Sequence, residues 1–564
     1  MTGIFVPARR LDRVVWFSML IGLLAGSLSA ENTPDTTPPI VVATGSADGS
    51  SVFLCFSERV DFDTAMDVFN YSVNGTAVSV MSASLSVNGL TVTLAVSGLS
   101  SVTNTLFTVT AENIHDTAGN TGGGTATGRV GDFFRCLPAP TPADIRVVSA
   151  DAAGLVTWTN AFTNGVCSVE TAENIRGPWQ PGTNYFTSNA VGQARVPVGG
   201  PGSNVFCRLL AVEVSATPEG LANLYDSYGL LQTVAGAGVG RIDNFNYWQS
   251  SFEGGPATDA ALSRPHFAIA DRWDNIYVAD KDSGAVEKIT PDGTIHTVAG
   301  THEPGFNGDG PAPATTLQLM TPTGEWLRED GTLYILDTGN GKVRRLDTNG
   351  TMTTLFTITN GIQTIVAGIA ITNGILGGRG LWVKDDESLA YFTTDHVLWR
   401  WTPDSSFTAV NTNFVEMGNI WVMGTGQIIA TDRGGSRVWR VETDGELTPF
   451  AGNGVAGPGL DGAPALECAL YGVRGVWPVP NGGWLFATHE GAQVWHLDAA
   501  GLMHLFLDGA RANRTHGGDG GWFHSFGLKI SSARSVTLDH HGNVILMESD
   551  YGYVRKINFQ RMMP

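Results

Sequence analysis

The chain has little charge of either sign, and it is especially poor in basic residues. Only 15% of its 564 residues are charged, with 33 Lys+Arg against 53 Asp+Glu and a formal net charge of −20. This deficit argues against a nucleic-acid or anionic-membrane partner, because both attract a basic surface. The 71 glycines disfavour long helices, whereas a hydrophobic content of 42% excludes global disorder. The composition predicts an all-β protein of several domains.

Long apolar runs are also scarce. The run at 14–28 follows Arg9, Arg10 and Arg13 and precedes the small residues Ser29 and Ala30. A basic head, a short apolar run and a small-residue exit are typical of a secretory signal peptide, and a membrane-spanning helix needs about 20 apolar residues. We therefore predict a signal peptide at 1–30 and an extracytoplasmic product, secreted, cell-surface or periplasmic, with no transmembrane segment in the mature chain. A retained N-terminal anchor is the alternative.

Cysteine is the third scarce residue. The five cysteines are Cys55, Cys136, Cys167, Cys207 and Cys468, and their spacing does not resemble a zinc site. An exported protein can form disulfides, and the pairs 55–136 and 167–207 would each stay within one local module. The alternative is that all five are small core residues.

Two stretches of short β runs precede the larger part of the chain. The first, residues 38–127, predicts a β-sandwich, with turns at Asn-Gly pairs. Its Thr37-Pro38-Pro39 opening, Phe56-Ser57-Glu58 step and Asp116–Asn120 segment resemble the bacterial Ig-like domains of S-layer and other exported proteins. A Pro-rich joint at 137–142 leads to residues 143–215, which predict a second, fibronectin-like sandwich. We expect both modules to act as spacers or presenting arms.

From residue 228 onward the chain repeats itself six times. Each copy contains a short β run that ends in a polar residue; in five copies a run with a valine follows, and in four copies a Gly-containing turn comes after it. The first of these runs begins in turn at Ile276, Leu333, Leu389, Ile428, Trp484 and Val544. Four antiparallel strands per copy predict a six-bladed β-propeller over residues 228–559. The sixth copy lacks its fourth strand, and the extra strand Leu231 to Gly236 copies the outer strand of the first. We therefore predict that this N-terminal strand completes the sixth blade and latches the ring.

The repeat also indicates a family. Thr297–Gly300, Gly308–Ala312 and Ile276–Asp280 together look strongly like the NHL-repeat propellers. This resemblance implies a platform for protein or RNA partners and, in some members, an enzyme. The amidating lyases of similar pattern carry zinc on histidines at the starts of the first strands, and the gluconolactonase-type rings hold a divalent ion on carboxylates and asparagines.

One face of the predicted ring carries the long connections between blades and is where we expect binding. Ten residues before each repeated run stand His266, Thr323, Arg379, Gly418, Arg474 and Arg534, which should ring the central mouth. The strand ends place Asp280, Asp337, Asp432 and Glu548 just outside this ring. Three arginines and a histidine can clamp an anionic group such as a carboxylate, a sulfated sugar or a uronic sugar. The alternative is that each arginine pairs with a neighbouring carboxylate and ties blades together.

Aromatic residues recur as well. Trp326, Trp382, Trp421 and Trp477 occupy one repeat position, and we predict that they form core between blades. Tyr247, Trp248, Trp522 and Phe523 lie in the long loops and are better carbohydrate candidates.

The residues predict binding rather than catalysis. We expect a secreted or cell-surface protein that binds a glycan or protein partner through the loop-rich face. No catalytic constellation and no cofactor are predicted, although a divalent metal, calcium or zinc, is compatible with the resemblance. The alternative function is a metal-dependent lyase or lactonase-type hydrolase with its site at the central mouth.

Overall fold

The computed structural model describes residues 36–560, apart from several short segments. These segments are 47–48, 74–77, 86–88, 103–104, 131–145, 151–153, 160–161, 173–179, 188, 190, 196–205, 359–363, 367–368, 372–376, 405, 510–515, 522 and 525–529. The predicted signal peptide, the Pro-rich joint and Cys136 lie outside the described residues. Within these residues the protein is nearly all β, and none of their helices has the length and apolar character needed to cross a membrane.

The first module contains two sheets around one core. The strands are β1 (Val41–Gly45), β2 (Ser51–Phe56), β3 (Tyr71–Val73), β4 (Ser79–Leu85), β5 (Thr91–Ser97), β6 (Leu106–His115) and β7 (Thr121–Arg129), with helix α1 (Phe62–Met66) after β2. The sheet orders are β1-β2-β5-β4 and β3-β6-β7, and alternate residues of both sheets, such as Leu54, Leu94 and Val109, are fully buried in a shared cluster. Cys55 is disulfide-bonded, as the sequence suggested for an exported protein.

The second module contains two three-stranded sheets. Its strands are β8 (Arg146–Ala150), β9 (Leu155–Thr159), β10 (Gly165–Ala172), β11 (Gln180–Thr187), β12 (Gly192–Arg195) and β13 (Phe206–Glu213), followed by helix α2 (Pro218–Asp226). The orders are β11-β10-β13 and β12-β9-β8, with Trp158 in the core between them.

The suggested Cys167–Cys207 pairing is wrong, because both residues are free thiols. In the β10–β13 ladder Cys167 lies opposite Ala211, and Cys207 lies opposite Thr171. Four strand residues, about 13 Å, therefore separate the two cysteines along the sheet, and a disulfide needs Cα atoms within about 7 Å.

In the described part of the remaining chain, six larger antiparallel sheets each contain four main strands, which are consecutive in sequence except in the last sheet, and we number them sheets 1 to 6. Sheet 1 contains β15 (Pro265–Ala270), β16 (Ile276–Asp280), β17 (Ala285–Ile289) and β18 (Ile295–Gly300). Sheet 2 contains β20 (Pro322–Leu327), β21 (Leu333–Asp337), β22 (Lys342–Leu346) and β23 (Thr351–Thr357), with β19 (Ala312–Pro313) added beside β23. Sheet 3 contains β26 (Leu381–Val383), β27 (Ala390–Thr393), β28 (Leu398–Thr402) and β29 (Ser406–Asn411), and the hairpin β24 (Thr364–Val366) and β25 (Ile369–Ile371) precedes it.

The last three sheets follow the same order. Sheet 4 contains β30 (Met417–Val422), β31 (Ile428–Asp432), β32 (Arg437–Val441) and β33 (Leu447–Ala451). Sheet 5 contains β35 (Val473–Pro478), β36 (Trp484–Thr488), β37 (Gln493–Leu497) and β38 (Leu502–Asp508), with β34 (Ala463–Pro464) added beside β38. Sheet 6 contains β39 (Ala533–Leu538), β40 (Val544–Glu548) and β41 (Tyr553–Ile557), and its fourth strand is β14 (Leu231–Ala235).

The N-terminal strand closes the series as predicted. In the β14–β41 ladder Leu231 lies opposite Ile557, and Ala235 lies opposite Val554. The first strand of each sheet contacts the first strand of the next, and β15 of sheet 1 contacts β39 of sheet 6. Leu231 and Ala235 are fully buried, so this pairing also completes the apolar core on that side. The predicted latch is confirmed at the level of strand pairing.

Candidate functional site

The candidate site lies where the first strands of the sheets begin. Pro265 pairs with Asp280, so the start of β15 and the end of β16 lie at the same end of sheet 1. The equivalent pairs Pro322–Asp337 and Ala533–Glu548 repeat this arrangement. The predicted ring residues and the predicted carboxylates therefore share one end of the sheets, which we call the mouth.

The four predicted carboxylates all fasten loops at this end. Each accepts a hydrogen bond from a backbone N–H 17 residues earlier, just before the first strand of its own sheet. The bonds run from Ser263 to Asp280 (2.8 Å), Met320 to Asp337 (2.7 Å), Val415 to Asp432 (3.2 Å) and Ser531 to Glu548 (2.9 Å). All four side chains are buried. Their observed contacts are thus those of loop anchors rather than of groups that line the mouth.

The ring cations, by contrast, come together. Arg534 Nη1 lies 3.1 Å from His266 Nε2, and Arg534 Nη2 lies 3.0 Å from His489 Nε2, so one guanidinium joins sheets 1, 5 and 6. A guanidinium can only donate, so both Nε2 atoms accept, and the neutral rings carry their protons on Nδ1. Burial, followed by the charge of Arg534, holds the pKa of His266 well below its usual range.

Two further arginines extend the cluster. Arg379 lies just before β26 of sheet 3, and Arg474 lies in β35 of sheet 5. Burial lowers the pKa of Arg474 to about 9, with the charges of Arg379 and Arg433 adding to the effect. Burial also lowers the pKa of Arg379 to about 10. Both groups still carry a charge at neutral pH. The sequence-predicted quartet of His266, Arg379, Arg474 and Arg534 therefore forms one electrostatically linked group.

Carboxylates other than the four predicted ones stand among these cations. Glu416 lies 3.4 Å from Arg474 Nη2, and Asp550 lies 3.7 Å from Arg534 Nη2. Arg433 bridges Glu416 and Glu490. The alternative in which arginines pair with carboxylates across sheets therefore describes part of the cluster, but with different carboxylates from those predicted.

A sequence signal for most of the missed residues existed in the same repeat. The first residue after the second strand is a basic residue or histidine in sheets 1, 4 and 5, namely Lys281, Arg433 and His489. The second residue after this strand is acidic in sheets 1, 3, 5 and 6, namely Asp282, Asp395, Glu490 and Asp550. Counting one and two residues beyond the anchoring position would have found them.

Four nitrogen atoms of the quartet remain without a hydrogen-bond partner. They are buried, and they are the Nε atoms of Arg379, Arg474 and Arg534 together with Nδ1 of His266. Each of them carries a proton, and a buried donor without an acceptor costs about 1–3 kcal/mol. Rearrangement of these side chains around an oxygen-rich ligand would relieve this cost.

The opposite end of the ring carries a cavity of about 950 Å³. Its lining includes Trp421 and Trp477, turns between first and second strands, and Tyr185 and Phe186 of the second module. Phe186 stacks on Phe559 at a ring separation of 4.4 Å. The second module therefore packs against this end of the ring.

The repeated tryptophans pack against apolar clusters that neighbouring sheets share, as predicted. Trp326 of sheet 2 also meets Trp421 of sheet 4 at 5.7 Å, although sheets 2 and 4 are not consecutive. Trp421 in turn meets Trp477 at 4.7 Å.

The loop aromatics have intramolecular partners where the structure describes them. Tyr247 donates its hydroxyl to Gly240 O at 2.9 Å, and Trp248 stacks on His302 at 4.3 Å. Phe523 is fully buried, and Trp522 lies outside the described residues. The described loop aromatics therefore pack against their own loop, a neighbouring loop or the core.

No protein-family model matches this chain, and no curated protein matches it. Solved structures similar to it include a structural-genomics protein of unknown function from Bacteroides thetaiotaomicron, with 12% identity, 93% of this chain and 98% of that chain covered, and a TM-score of 0.43. An auxiliary nutrient binding protein from the same organism has 11% identity, the same coverage of 93% and 98%, and a TM-score of 0.42. Virginiamycin B lyase from Staphylococcus aureus has 13% identity over 52% of this chain and 94% of that chain, with a TM-score of 0.34.

Proposed function

We propose that this protein is a secreted or cell-surface binding protein of the NHL type, in which a six-bladed β-propeller over residues 228–559 holds an acidic group of a glycan or protein partner in its mouth. In this proposal sheets 1 to 6 are the blades, and the Ig-like module at 38–127 and the fibronectin-like module at 143–215 present the propeller. The observation that carries the proposal is the set of four buried, unpartnered N–H donors in the quartet.

The donor set favours an oxygen-rich anion. Guanidinium groups match carboxylate and sulfate oxygens in geometry and charge, and burial strengthens such contacts because water does not compete for them. Glu416, Glu490 and Asp550 lie nearby and can accept hydrogen bonds from hydroxyl or amide groups of the same ligand. A uronic or sulfated sugar or an acidic peptide offers both kinds of group, and nucleic acid is disfavoured by the net charge of −20.

The alternative is a metal-dependent lyase or lactonase-type hydrolase at the same mouth. His266 is the ring histidine that the amidating-lyase resemblance singled out. Its Nε2 accepts a hydrogen bond from Arg534 at 3.1 Å, which uses the lone pair that a metal would need. This contact favours the binding function over a zinc site on His266.

The test is a binding screen with neutral, uronic and sulfated oligosaccharides and with acidic peptides, followed by calorimetry on the best ligand. Loss of three charge-assisted contacts in the Arg379→Ala, Arg474→Ala, Arg534→Ala triple variant should weaken binding by at least about 100-fold. Arg400→Ala is the matched control, because Arg400 is an exposed arginine in β28.

Undiminished binding by the triple variant, with unfolding curves that confirm it is folded, would remove the quartet from the site. Stoichiometric zinc or calcium that depends on His266 would instead support the enzyme alternative.

A further inference from the structure

A second cluster of polar side chains lies at the opposite end of the ring from the mouth. Asp274 belongs to the turn between β15 and β16, and His540 and His541 belong to the turn between β39 and β40. These turns come from sheets 1 and 6, whose first strands are in contact. The cluster therefore spans the seam at which β14 closes the series of sheets.

The three side chains have the spacing of metal ligands. His540 Nδ1 lies 3.4 Å from Asp274 Oδ1, and His541 Nε2 lies 3.3 Å from Asp274 Oδ2. One ligand atom from each residue lies within 4.8 Å of the other two. Two ligand atoms at about 2.1 Å from a shared tetrahedral ion are about 3.4 Å apart, and each histidine lies at about this distance from one of the two carboxylate oxygens of Asp274.

The contacts between these groups do not satisfy one another as hydrogen bonds. Asp274 Oδ1 is buried and has no hydrogen-bond partner, although an imidazole nitrogen lies 3.4 Å away. A buried carboxylate oxygen in this state costs free energy unless a cation or a donor completes it.

Hydrogen bonds to an aspartate side chain fix the backbone of each turn. Asp271 Oδ1 accepts the backbone N–H of Trp273 and Asn275, each at 2.9 Å. Asp539 Oδ1 accepts the backbone N–H of His541 and Asn543 at 3.0 and 2.9 Å in the same way. The ligand-bearing residues therefore need little reorganisation to bind an ion.

Asp274 stands where most of the equivalent turns have glycine. Its φ is +66°, a left-handed conformation that is strained for residues with a side chain. The corresponding positions in sheets 2, 4, 5 and 6 are Gly331, Gly426, Gly482 and Gly542, all with positive φ. Sheet 1 thus carries a carboxylate at this position, as sheet 3 does with Glu387 at a φ of +56°.

We propose that Asp274, His540 and His541 bind one divalent transition-metal ion, with zinc the best match to two imidazoles and one carboxylate. Three protein ligands leave at least one coordination position for solvent or a small ligand, and the two histidines also line the 950 Å³ cavity. The ion joins the turns of sheets 1 and 6 and therefore stabilises the closure of the ring. This site is independent of the mouth and of the function proposed for it.

Calorimetric titration of metal-free protein with zinc chloride alone tests the proposal, with cobalt absorption as a second readout of coordination. The wild-type chain should bind one equivalent and unfold at a higher temperature with zinc than without it. Asp274→Gly keeps the turn conformation used by four other sheets, and it should weaken zinc binding by at least about 100-fold and abolish the thermal shift. The His540→Ala, His541→Ala double variant should do the same.

Two controls separate this site from other sources of zinc. His296→Ala removes an exposed histidine that lies 3.1 Å from Glu253, and it should leave zinc binding unchanged. The triple arginine variant of the mouth should also keep its zinc. Absence of binding by the wild-type chain, equal binding by Asp274→Gly, or loss of zinc in the arginine variant would each overturn the proposal.

Discussion

At the scale of single residues, the carboxylates and the arginines of the mouth have different roles. The carboxylates at the ends of the second strands are buried and accept backbone N–H groups from the preceding loops. Burial raises the pKa of Asp337 to about 6, against the lowering effect of its hydrogen bonds from Asn340 and Met320. The Nε atoms of the three arginines, by contrast, are buried and have no hydrogen-bond partner. Stability and binding should therefore depend on different members of the set.

Asp337→Ala tests this division of roles. The variant loses the acceptor of Met320 N–H (2.7 Å) and of Asn340 Nδ2 (2.8 Å), and it leaves the buried Arg344 with one carboxylate fewer nearby. We expect the free energy of unfolding in urea to fall by about 2–4 kcal/mol, while affinity for the mouth ligand is unchanged.

Asp337→Asn is the matched control, because its amide oxygen can still accept from Met320, and its loss should be smaller. If Asp337→Ala were as stable as wild type yet failed to bind, Asp337 would be a ligand-binding residue instead.

At the scale of elements, the closure of the ring depends on one short strand from far away in the sequence. β14 pairs with β41, and its Leu231 packs in the cluster that contains Tyr228, Ile557 and Phe559. Without it, β41 would be an exposed edge above an open apolar core. The adjacent helix α2 contributes Leu224 and Tyr225 to the same cluster, so the segment that precedes β14 is also part of this apolar core.

Deletion of residues 228–236 should therefore destabilise the ring as a whole. Exposure of the Leu231 and Tyr228 contacts alone is expected to cost about 3–6 kcal/mol, measured by thermal and urea unfolding. Gln232→Ala is the control on the same strand, because Gln232 is exposed, and it should unfold close to wild type. A deletion variant with normal unfolding would contradict the latch.

At the scale of the whole molecule, acid stability should be set by buried histidines. Burial lowers the pKa of His496 to about 3 and of His302 to about 4, and it lowers the pKa of His489 and His524 as well. Between about pH 6.5 and 4 the unfolded chain binds protons that these neutral side chains reject, so stability falls as the pH falls. Four carboxyl groups oppose this trend, because burial raises their pKa values and folding then favours their protonated forms at lower pH. The pKa is raised to about 7 for Asp280 and to about 6 for Asp337, and it lies well above the usual range for Glu287 and Glu325.

His496→Gln isolates one term of this balance. Removing one depressed histidine should reduce the loss of unfolding free energy by about 1.4 kcal/mol per pH unit between pH 6 and pH 4, relative to wild type. Urea unfolding at a series of pH values measures the difference in slope. Parallel pH profiles for the two proteins would show that His496 is protonated equally in both states.

The sequence by itself determined the all-β composition, the repeated four-strand pattern and the pairing of the N-terminal strand with the last one. Short β runs and Gly-containing turns are local signals, and self-similarity reveals which strand is missing from the last copy. The same counting brought His266, Arg379, Arg474 and Arg534 to one end of the sheets, where Arg534 and His266 are in contact.

Only the tertiary structure decided which atoms are satisfied and which distant residues meet. The tryptophans of sheets 2 and 4 meet one another, and strand register keeps Cys167 and Cys207 apart. Asp274 meets His540 and His541 because closure of the ring brings the first and last sheets together, although their turns lie far apart in the chain. Such contacts depend on the angle and register between sheets, which no local pattern of residues encodes.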